Sequence, residues 1–319
     1  MDYRQLGQTS MQVSPVAYGT APLGGLFGPV SFTDARNTVR RAIDLGINFI
    51  DTSPYYGDAE EKLGILSTDI PDDVLVGTKA GRYGVDTFDF SPARIRASLD
   101  ESLRRLRRDH VDVLQLHDID FVELDSLLTD SFAELQSLKA EGKVRAIGMT
   151  CYSVQALHRV VNETDVDVIL NFAHGTLLDD SLSEVLAPIA RERVIGVINA
   201  AAVSVGLLTP KILDLNPDRT ENTAVAPIAV QKIAQTMAET VHSAGKNVAF
   251  LANQYALQRV DCDTTVIGTK RIDHLEEAVT AVSAPIDDQL LSEVLAFRMP
   301  AREGQWDIGL ESNQQWNWS

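Results

Sequence analysis

Four side chains that can move or orient a proton lie at or just beyond the ends of apolar segments. Asp51, Lys79 and His117 each end such a segment, and Tyr56 follows Asp51 by five residues. A phenol has a pKa near ~10, and an adjacent ammonium in a desolvated pocket favours the phenolate. We therefore expect Lys79 to lower the pKa of Tyr56, Asp51 to hold Lys79, and neutral His117 to orient a substrate oxygen. The chemistry indicated is proton transfer at one oxygen of a carbonyl or alcohol.

A purely structural role is the alternative for each of these residues taken singly. Asp51 and Lys79 could form a buried ion pair, and His117 could be a hydrogen-bonded core histidine. Burying an aspartate, a lysine and a histidine together costs several kcal/mol unless function retains them. Their joint occurrence at successive segment ends therefore favours a functional site.

The elements that must position these residues are short β-rich segments alternating with amphipathic helices. The helix predicted over 91–106 starts at Ser91-Pro92, which supply an N-cap and a first-turn residue, and Ser153 is a second predicted N-cap. Continuous Val/Ile/Leu strands joined by helices indicate a parallel sheet buried on both faces. The predicted strands cover 16–20, 47–51, 73–79, 111–117, 144–149, 166–172, 194–199 and 264–269.

Eight strand–helix units predict an α/β fold, a closed (β/α)₈ TIM barrel, with an open doubly wound sheet as the alternative. A β-hairpin with its turn near Gly7 is expected before the first barrel strand. Catalytic groups in such barrels lie at the C-terminal ends of the strands, where the four residues above fall. No Pro/Gly/Ser-rich hinge divides the chain, so we expect residues 1–319 to form a single domain.

The overall composition limits the binding partners and the cellular compartment that can be expected for the protein. The net charge of −17 over 319 residues argues against nucleic acid or an anionic membrane surface as a partner. No apolar run approaches the roughly 20 residues needed to span a bilayer. The polar N-terminus and only two cysteines favour the cytoplasm, and nothing indicates a metal site. A monomer or small homo-oligomer acting on a small molecule is expected.

The fold, together with FIDTSPYYG (49–57), GTK (77–79) and LQLHD (114–118), resembles the aldo-keto reductase superfamily along essentially the whole chain. The resemblance implies that Asp51, Tyr56, Lys79 and His117 are its catalytic Asp, Tyr, Lys and His. It also favours Tyr56 over Tyr55 as the catalytic tyrosine, with Tyr55 as a packing or pocket-wall residue.

A narrower resemblance comes from further segments, and it is to the branch that contains L-galactose dehydrogenase and the L-fucose and D-threo-aldose 1-dehydrogenases. It implies oxidation of the anomeric carbon of a free sugar to an aldonolactone. An NADPH-dependent reductase of small aldehydes or ketones, and a non-catalytic nicotinamide-binding regulatory subunit, are the alternatives. The segments that carry this resemblance are 114–121, 138–150, 166–179, 196–209 and 244–257.

The family resemblance further implies a nicotinamide dinucleotide, NAD or NADP, bound without a Rossmann fingerprint, and the chain has no GxGxxG after its first strand. Lys270 and Arg271 would suit the 2′-phosphate of NADP, whereas the sugar-dehydrogenase branch often uses NAD. The cofactor-binding residues implied are Gly19, Thr20, Thr150, Asn171, Gly268, Thr269, Lys270, Arg271, His274 and Glu277.

Several positions depart from the family pattern. Cys151 replaces an amide beside the nicotinamide, Ala200 stands where many relatives stack a tyrosine on its ring, and Ala278 replaces an asparagine near the adenine. On the substrate side the resemblance implies a C-terminal loop over the active site. Tyr55, His174 and Trp306 are the predicted substrate-pocket residues.

Overall fold

Eight parallel strands close into a barrel in the computed structural model, which describes residues 1–214, 226–300 and 308–314. This confirms the predicted (β/α)₈ class and excludes the open sheet. The barrel follows two short hairpin strands, β1 (Arg4–Gln5) and β2 (Gln12–Val13). Its strands are β3 (Val16–Gly19), β4 (Phe49–Asp51), β5 (Leu75–Ala80), β6 (Val111–His117), β7 (Val144–Cys151), β8 (Val168–Phe172), β9 (Gly196–Ala200) and β10 (Thr264–Gly268).

Helices pack around the outside of the barrel. Ser91 and Ser153 both occupy N-cap positions as predicted, although only Ser153 caps through its side chain, by accepting from the Ala156 N–H. The helices are α1 (Phe32–Asp44), α2 (Ala59–Ile65), α3 (Pro92–Leu106), α4 (Leu124–Ser126), α5 (Phe132–Ala140), α6 (Val154–Glu163), α7 (Ala187–Glu192), α8 (Ile228–Ser243), α9 (Val248–Gln258), α10 (Ile272–Ala281) and α11 (Asp288–Leu295). Shorter helical turns cover Ser67–Asp69, Ile119–Phe121, Leu127–Ser131, Leu182–Leu186, Ser204–Gly206, Pro210–Asp214 and Glu311–Asn313.

The N-terminal hairpin closes the bottom of the barrel. Its strands pair Arg4 with Val13 in antiparallel register, and the buried side chains of Leu6 and Val13 join the apolar cluster inside the barrel. Gly7 has a φ of +53°, and a Cβ at this position would lie 2.2 Å from the Gly196 backbone nitrogen. Glycine is therefore required where the turn meets the start of β9.

Strand alternation decides which side chains reach the barrel mouth. Phe49, Leu75 and Val113 belong to the inner apolar cluster, and residues two or four positions later on the same strands share their inward phase. Asp51, Lys79 and His117 have this phase, so all three project inward at the carboxyl ends of neighbouring strands. The outward residues pack instead against the helices.

The C-terminal segment 308–314 lies against the loop that follows β6. The Leu310 N–H donates to the Asp120 carbonyl at 2.8 Å, and the Asn313 side chain donates to the carbonyls of Asp120 and Val122 at 3.0 and 2.8 Å. This contact brings the C-terminal loop to the same end of the barrel as His117. Within the described residues, none of the helices is both long and apolar enough to cross a bilayer.

Candidate active site

Lys79 and Asp51 form a buried ion pair at the barrel mouth. The Lys79 ammonium donates to both carboxylate oxygens of Asp51, at 2.7 and 2.6 Å, and to the Thr52 carbonyl at 2.9 Å. The lysine side chain is only 2% exposed. Burial raises the pKa of Asp51 and the Lys79 charge opposes that rise. Because three acceptors surround three N–H groups, the ammonium is fully hydrogen-bonded before any substrate binds.

Tyr56 lies beside this ion pair, with its ring centroid 4.9 Å from the Lys79 nitrogen. The side chain is partly exposed at the barrel mouth, but burial of the phenol, followed by the charges of Asp51 and Asp118, raises its pKa well above the usual value. The expectation that Lys79 would lower the pKa of Tyr56 is therefore wrong. The physical reason is that Asp51 neutralises the ammonium, which leaves desolvation as the main influence on the phenol.

His117 completes the cluster. Its ring centroid is 5.6 Å from that of Tyr56 and nearly perpendicular to it, and its Nδ1 lies 3.0 Å from Ser53 Oγ. Burial lowers the pKa of His117 to about 3, so the imidazole is neutral near pH 7. The structure thus brings the four predicted catalytic residues together, as a buried ion pair with a neutral phenol and a neutral imidazole beside it.

Tyr55 occupies the rim of the same cluster rather than its centre. Its ring lies 4.3 Å below the Arg82 guanidinium carbon and 5.9 Å from the His117 ring, and it is partly exposed. Its role as a packing or pocket-wall residue stays a prediction. Arg82, Asp118 and Ser53 also surround the cluster and were missed by sequence reasoning. The only available signal was local, since Ser53 lies within TSPYYG and Asp118 directly follows His117.

Four of the predicted cofactor-binding residues, Gly19, Thr20, Gly268 and Thr269, lie where β3 and β10 end side by side. Gly19 pairs with Gly268, and Thr20 is fixed to the Asp51 carbonyl through both its N–H and its hydroxyl. Thr269 accepts at its carbonyl from Tyr18 Oη at 2.9 Å, and its Oγ1 accepts from the Arg271 N–H at 3.0 Å. These bonds order the turn that leads into α10.

The two cations at this turn are engaged within the chain. Lys270 donates to the Phe27 carbonyl at 3.0 Å, and Arg271 forms an ion pair with Asp273. His274 and Glu277 are exposed on α10 beside them, as an adenine contact would require, whereas Ala278 is fully buried.

Three further predicted residues, Thr150, Asn171 and His174, differ in whether their side chains face the barrel interior. Thr150 has the inward phase of Ala146, but Asn171 has the outward phase of Ile169 and donates to the carbonyls of Cys151 and Tyr152 at 3.0 and 2.9 Å. His174 is fully buried, with its ring 4.3 Å from that of Tyr152.

The structure therefore does not bring Asn171 or His174 into the cluster around Tyr56. Trp306 lies outside the described residues, and so do Trp316 and Trp318.

A polar cleft of about 350 Å³ lies at the opposite end of the barrel, beside the N-terminal hairpin. Its cations are paired, Lys139 with Asp167 and Arg145 with Asp112. The Lys139 and Arg145 side chains are 40% and 43% exposed, so both pairs are open to solvent and we assign the cleft no chemistry. The cleft is lined by Gln8, Thr9, Ser10, Met11, Lys139, Arg145 and Asp167.

Comparisons with known proteins show the family to which the chain belongs. A model of the Aldo/keto reductase family matches residues 15–298. The chain is 38% identical to L-galactose dehydrogenase from Arabidopsis thaliana over 98% of this chain and 99% of that one. It is 35% identical to D-threo-aldose 1-dehydrogenase from Pseudomonas sp. over 62% of this chain and 68% of that one.

Among solved structures, the chain superposes on aldo-keto reductase AKR11C1 from Bacillus halodurans in its holo form. The TM-score is 0.78 at 24% identity, covering 99% of this chain and 100% of that one. At this level of identity the likeness supports the fold alone.

Proposed function

Because the chain belongs to the aldo/keto reductase family and is an oxidoreductase, we propose that it oxidises the anomeric carbon of a free aldose of the L-galactose or L-fucose type to the aldonolactone. The observation that carries the chemistry is the contact of Tyr56 with the buried Lys79–Asp51 pair beside neutral His117. The full-length similarity to L-galactose dehydrogenase supports the sugar class.

In this reaction the Tyr56 phenol first gives its own proton to solvent; C1 of the sugar then loses a hydride, and the C1 hydroxyl loses its proton to the Tyr56 oxygen. The C1–O bond becomes the carbonyl of the lactone. His117, being neutral, donates a hydrogen bond to the same oxygen and orients it. Asp51 and Lys79 hold the phenol against the mouth of the barrel. A nicotinamide dinucleotide, when bound, supplies the hydride acceptor that side chains cannot provide.

The residues present fit such a cofactor. Ser204 is buried beyond the end of β9, and its hydroxyl oxygen lacks a hydrogen-bond partner among the described residues. A buried hydroxyl without a partner costs free energy, and a phosphate oxygen would satisfy it. Gly268 is exposed at the neighbouring strand end, where an added Cβ would meet nothing nearer than Pro22 at 3.5 Å. The predicted contacts of Thr20, Thr150, Thr269, His274 and Glu277 stay part of this proposal.

We further propose that NAD is preferred over NADP. A 2′-phosphate would have to take Arg271 from Asp273 and Lys270 from the Phe27 carbonyl, in a protein of net charge −17. It would also meet the repulsion of the Asp273 carboxylate and of Glu277 on the same helix. The adenosine ribose of NAD needs neither cation.

This preference predicts the behaviour of an Asp273→Ser variant. Removing the carboxylate frees Arg271, so we expect the Kd for NADP to fall about tenfold, which corresponds to roughly 1.4 kcal/mol, with little change for NAD. Calorimetric titration with each dinucleotide measures both values. Asp125→Ser is a matched control, because Asp125 is exposed and also pairs with an arginine, Arg159. Tighter binding of NADP than NAD by the unaltered protein would contradict the proposal.

The test of the function itself is a set of initial rates with each dinucleotide. We expect oxidation of L-galactose or L-fucose with formation of the lactone, and slower rates with D-arabinose and pyridoxal. Absence of sugar oxidation alongside rapid reduction of small aldehydes would instead establish the reductase alternative.

A further inference from the structure

A chain of polar contacts runs through both nitrogens of the His117 ring. On one side Ser53 Oγ lies 3.0 Å from Nδ1, and on the other the Asp118 carboxylate lies 3.6 Å from Nε2. Asp118 is in turn paired with Arg82 at 2.5 Å. Ser53, Asp118 and Arg82 have no part in the proton transfer described above, so their arrangement around the imidazole needs its own explanation.

The Ser53 side favours an unprotonated Nδ1. The Tyr55 N–H already donates to Ser53 Oγ at 3.1 Å, so this oxygen accepts one hydrogen bond from the backbone. Among the described residues, Nδ1 is the acceptor that lies within reach of the remaining hydroxyl hydrogen. A Ser53 hydroxyl that donates to Nδ1 leaves the proton of the neutral ring on Nε2.

The Asp118 side favours the same tautomer. A carboxylate 3.6 Å from Nε2 is close enough to attract an N–H dipole, yet this separation is longer than a good hydrogen bond. Asp118 therefore favours a proton on Nε2 without forming a full hydrogen bond to it, so this N–H stays available to donate to an oxygen in the cleft. Asp118 is buried and has a φ of +55°, a conformation that non-glycine residues seldom adopt.

Arg82 holds the carboxylate at that distance. Besides Asp118, its guanidinium donates to the carbonyls of Gly84 and Val85 at 3.2 and 3.1 Å. It also packs against the Phe88 and Phe121 rings, which are stacked on each other with centroids 4.8 Å apart. A guanidinium fixed at so many points keeps Asp118 from rotating onto His117.

We propose that Ser53 and the Arg82–Asp118 ion pair are positioning groups that fix His117 as the neutral imidazole protonated on Nε2, so that this N–H faces the substrate oxygen. The proposal rests on the proposed function for its consequence, but the tautomer itself exists without cofactor or substrate. Among the described residues, the other charged or titratable groups near the ring are Lys79, Tyr55 and Tyr56.

The experiment is long-range ¹⁵N–¹H correlation of the histidine side chains in the cofactor-free protein. The His117 signals are assigned by their loss in His117→Gln. We expect the Nε2–H pattern in the unaltered protein, and a substantial Nδ1–H population in Ser53→Ala and in Asp118→Asn. Ser53→Thr, which keeps the hydroxyl, should restore the Nε2–H pattern.

Kinetics give the second measurement. Asp118→Asn is expected to lower kcat about 10- to 100-fold with a smaller change in KM, because the substitution misplaces the Nε2–H donor of His117 but leaves substrate binding largely intact. Arg82→Gln should lower kcat as well. Arg94→Gln is the matched control, since Arg94 packs 4.1 Å over the Tyr83 ring and pairs with Glu101 away from the cluster.

An Nδ1–H pattern in the unaltered protein, or an unchanged Nε2–H pattern in both Ser53→Ala and Asp118→Asn, would overturn the proposal. If one of these two variants fails to fold, the other and the unaltered protein still decide it. A protein with the Nε2–H tautomer but no sugar oxidation would refute the proposed function and leave this inference standing.

Discussion

Tyr56→Phe is expected to lower kcat for sugar oxidation by about 10²–10⁴-fold while leaving the Kd for the dinucleotide within about twofold. The substitution removes only the hydroxyl, and the ring that lies 4.9 Å from the Lys79 nitrogen and 5.6 Å from the His117 ring stays in place. Steady-state kinetics and calorimetric titration of the purified variant measure the two quantities separately.

Two comparisons sharpen this result. Tyr55→Phe should alter KM more than kcat, because that ring lies at the rim under Arg82. Tyr3→Phe is the matched control, since Tyr3 is exposed on the N-terminal side and its hydroxyl donates to the Gly46 carbonyl. A Tyr56→Phe variant with near-normal kcat would remove Tyr56 from the reaction.

The raised pKa of Tyr56 adds a pH dependence with a definite sign. Oxidation needs the phenol without its proton, so kcat/KM for the sugar should rise with pH throughout the range below the pKa of Tyr56. Reduction of the lactone or of an aldehyde needs the protonated phenol, so kcat/KM for reduction should not rise with pH. The same assay in Tyr56→Phe should lose this dependence.

Lys79→Met is expected to destabilise the protein by about 3–5 kcal/mol and to abolish turnover. The Asp51 carboxylate would lose all its contacts with the ammonium while remaining buried, and removing one partner of a buried pair has this order of cost. Urea denaturation measures the stability. The double variant Asp51→Asn/Lys79→Met should recover part of that stability without recovering activity.

Lys139→Met provides a matched control. Lys139 also donates to both oxygens of an aspartate, Asp167, at 2.7 and 2.6 Å, but its side chain is 40% exposed. Water can replace its ammonium, so a loss of about 1 kcal/mol or less is expected. Equal losses in Lys79→Met and Lys139→Met would contradict the view that the Lys79–Asp51 pair is the costly, buried one.

Linkage gives Lys79→Met a pH signature as well. Burial raises the pKa of Asp51, and the Lys79 charge opposes that rise, so its removal raises the folded-state pKa further. A carboxyl with a raised folded pKa binds more protons when folded, and stability therefore falls as pH rises above the unfolded pKa near ~4. The deficit of Lys79→Met relative to the unaltered protein should be larger at pH 8 than at pH 5.

The barrel could be predicted because each strand–helix unit has its own pattern, but four strands begin two residues later than predicted, at Phe49, Leu75, Val168 and Gly196. Two of these differences share one reason. The strand predicted over 47–51 begins at Phe49, since the Ile47 N–H bonds the Ala42 carbonyl and closes the end of α1. The strand predicted over 194–199 begins at Gly196, because the Ile195 N–H closes α7 on Ala190 in the same way. An apolar pattern cannot distinguish a residue that ends a helix from one that begins a strand.

Within the site, residue types and strand ends predicted that Asp51, Lys79 and His117 lie together, because parallel strands bring their carboxyl ends to one rim, and the family resemblance favoured Tyr56 over Tyr55. The sign of the Tyr56 pKa shift could not be predicted, since it depends on how completely Asp51 neutralises Lys79 and how deeply the phenol is buried. The sequence did not predict a role for Ser53, Arg82 or Asp118. Their role depends on contacts between separate loops, such as that of Arg82 with Asp118.

Transfer of the C1 hydrogen is the most direct test of the proposed sugar oxidation. An aldose carrying deuterium at C1 is incubated with the protein and oxidised dinucleotide, and the deuterium content of each product is measured by mass spectrometry. The account predicts deuterium in the reduced nicotinamide and none in the lactone, in amounts that fall with Tyr56→Phe. Deuterium retained in the sugar product, or transfer that Tyr56→Phe leaves unchanged, would contradict it.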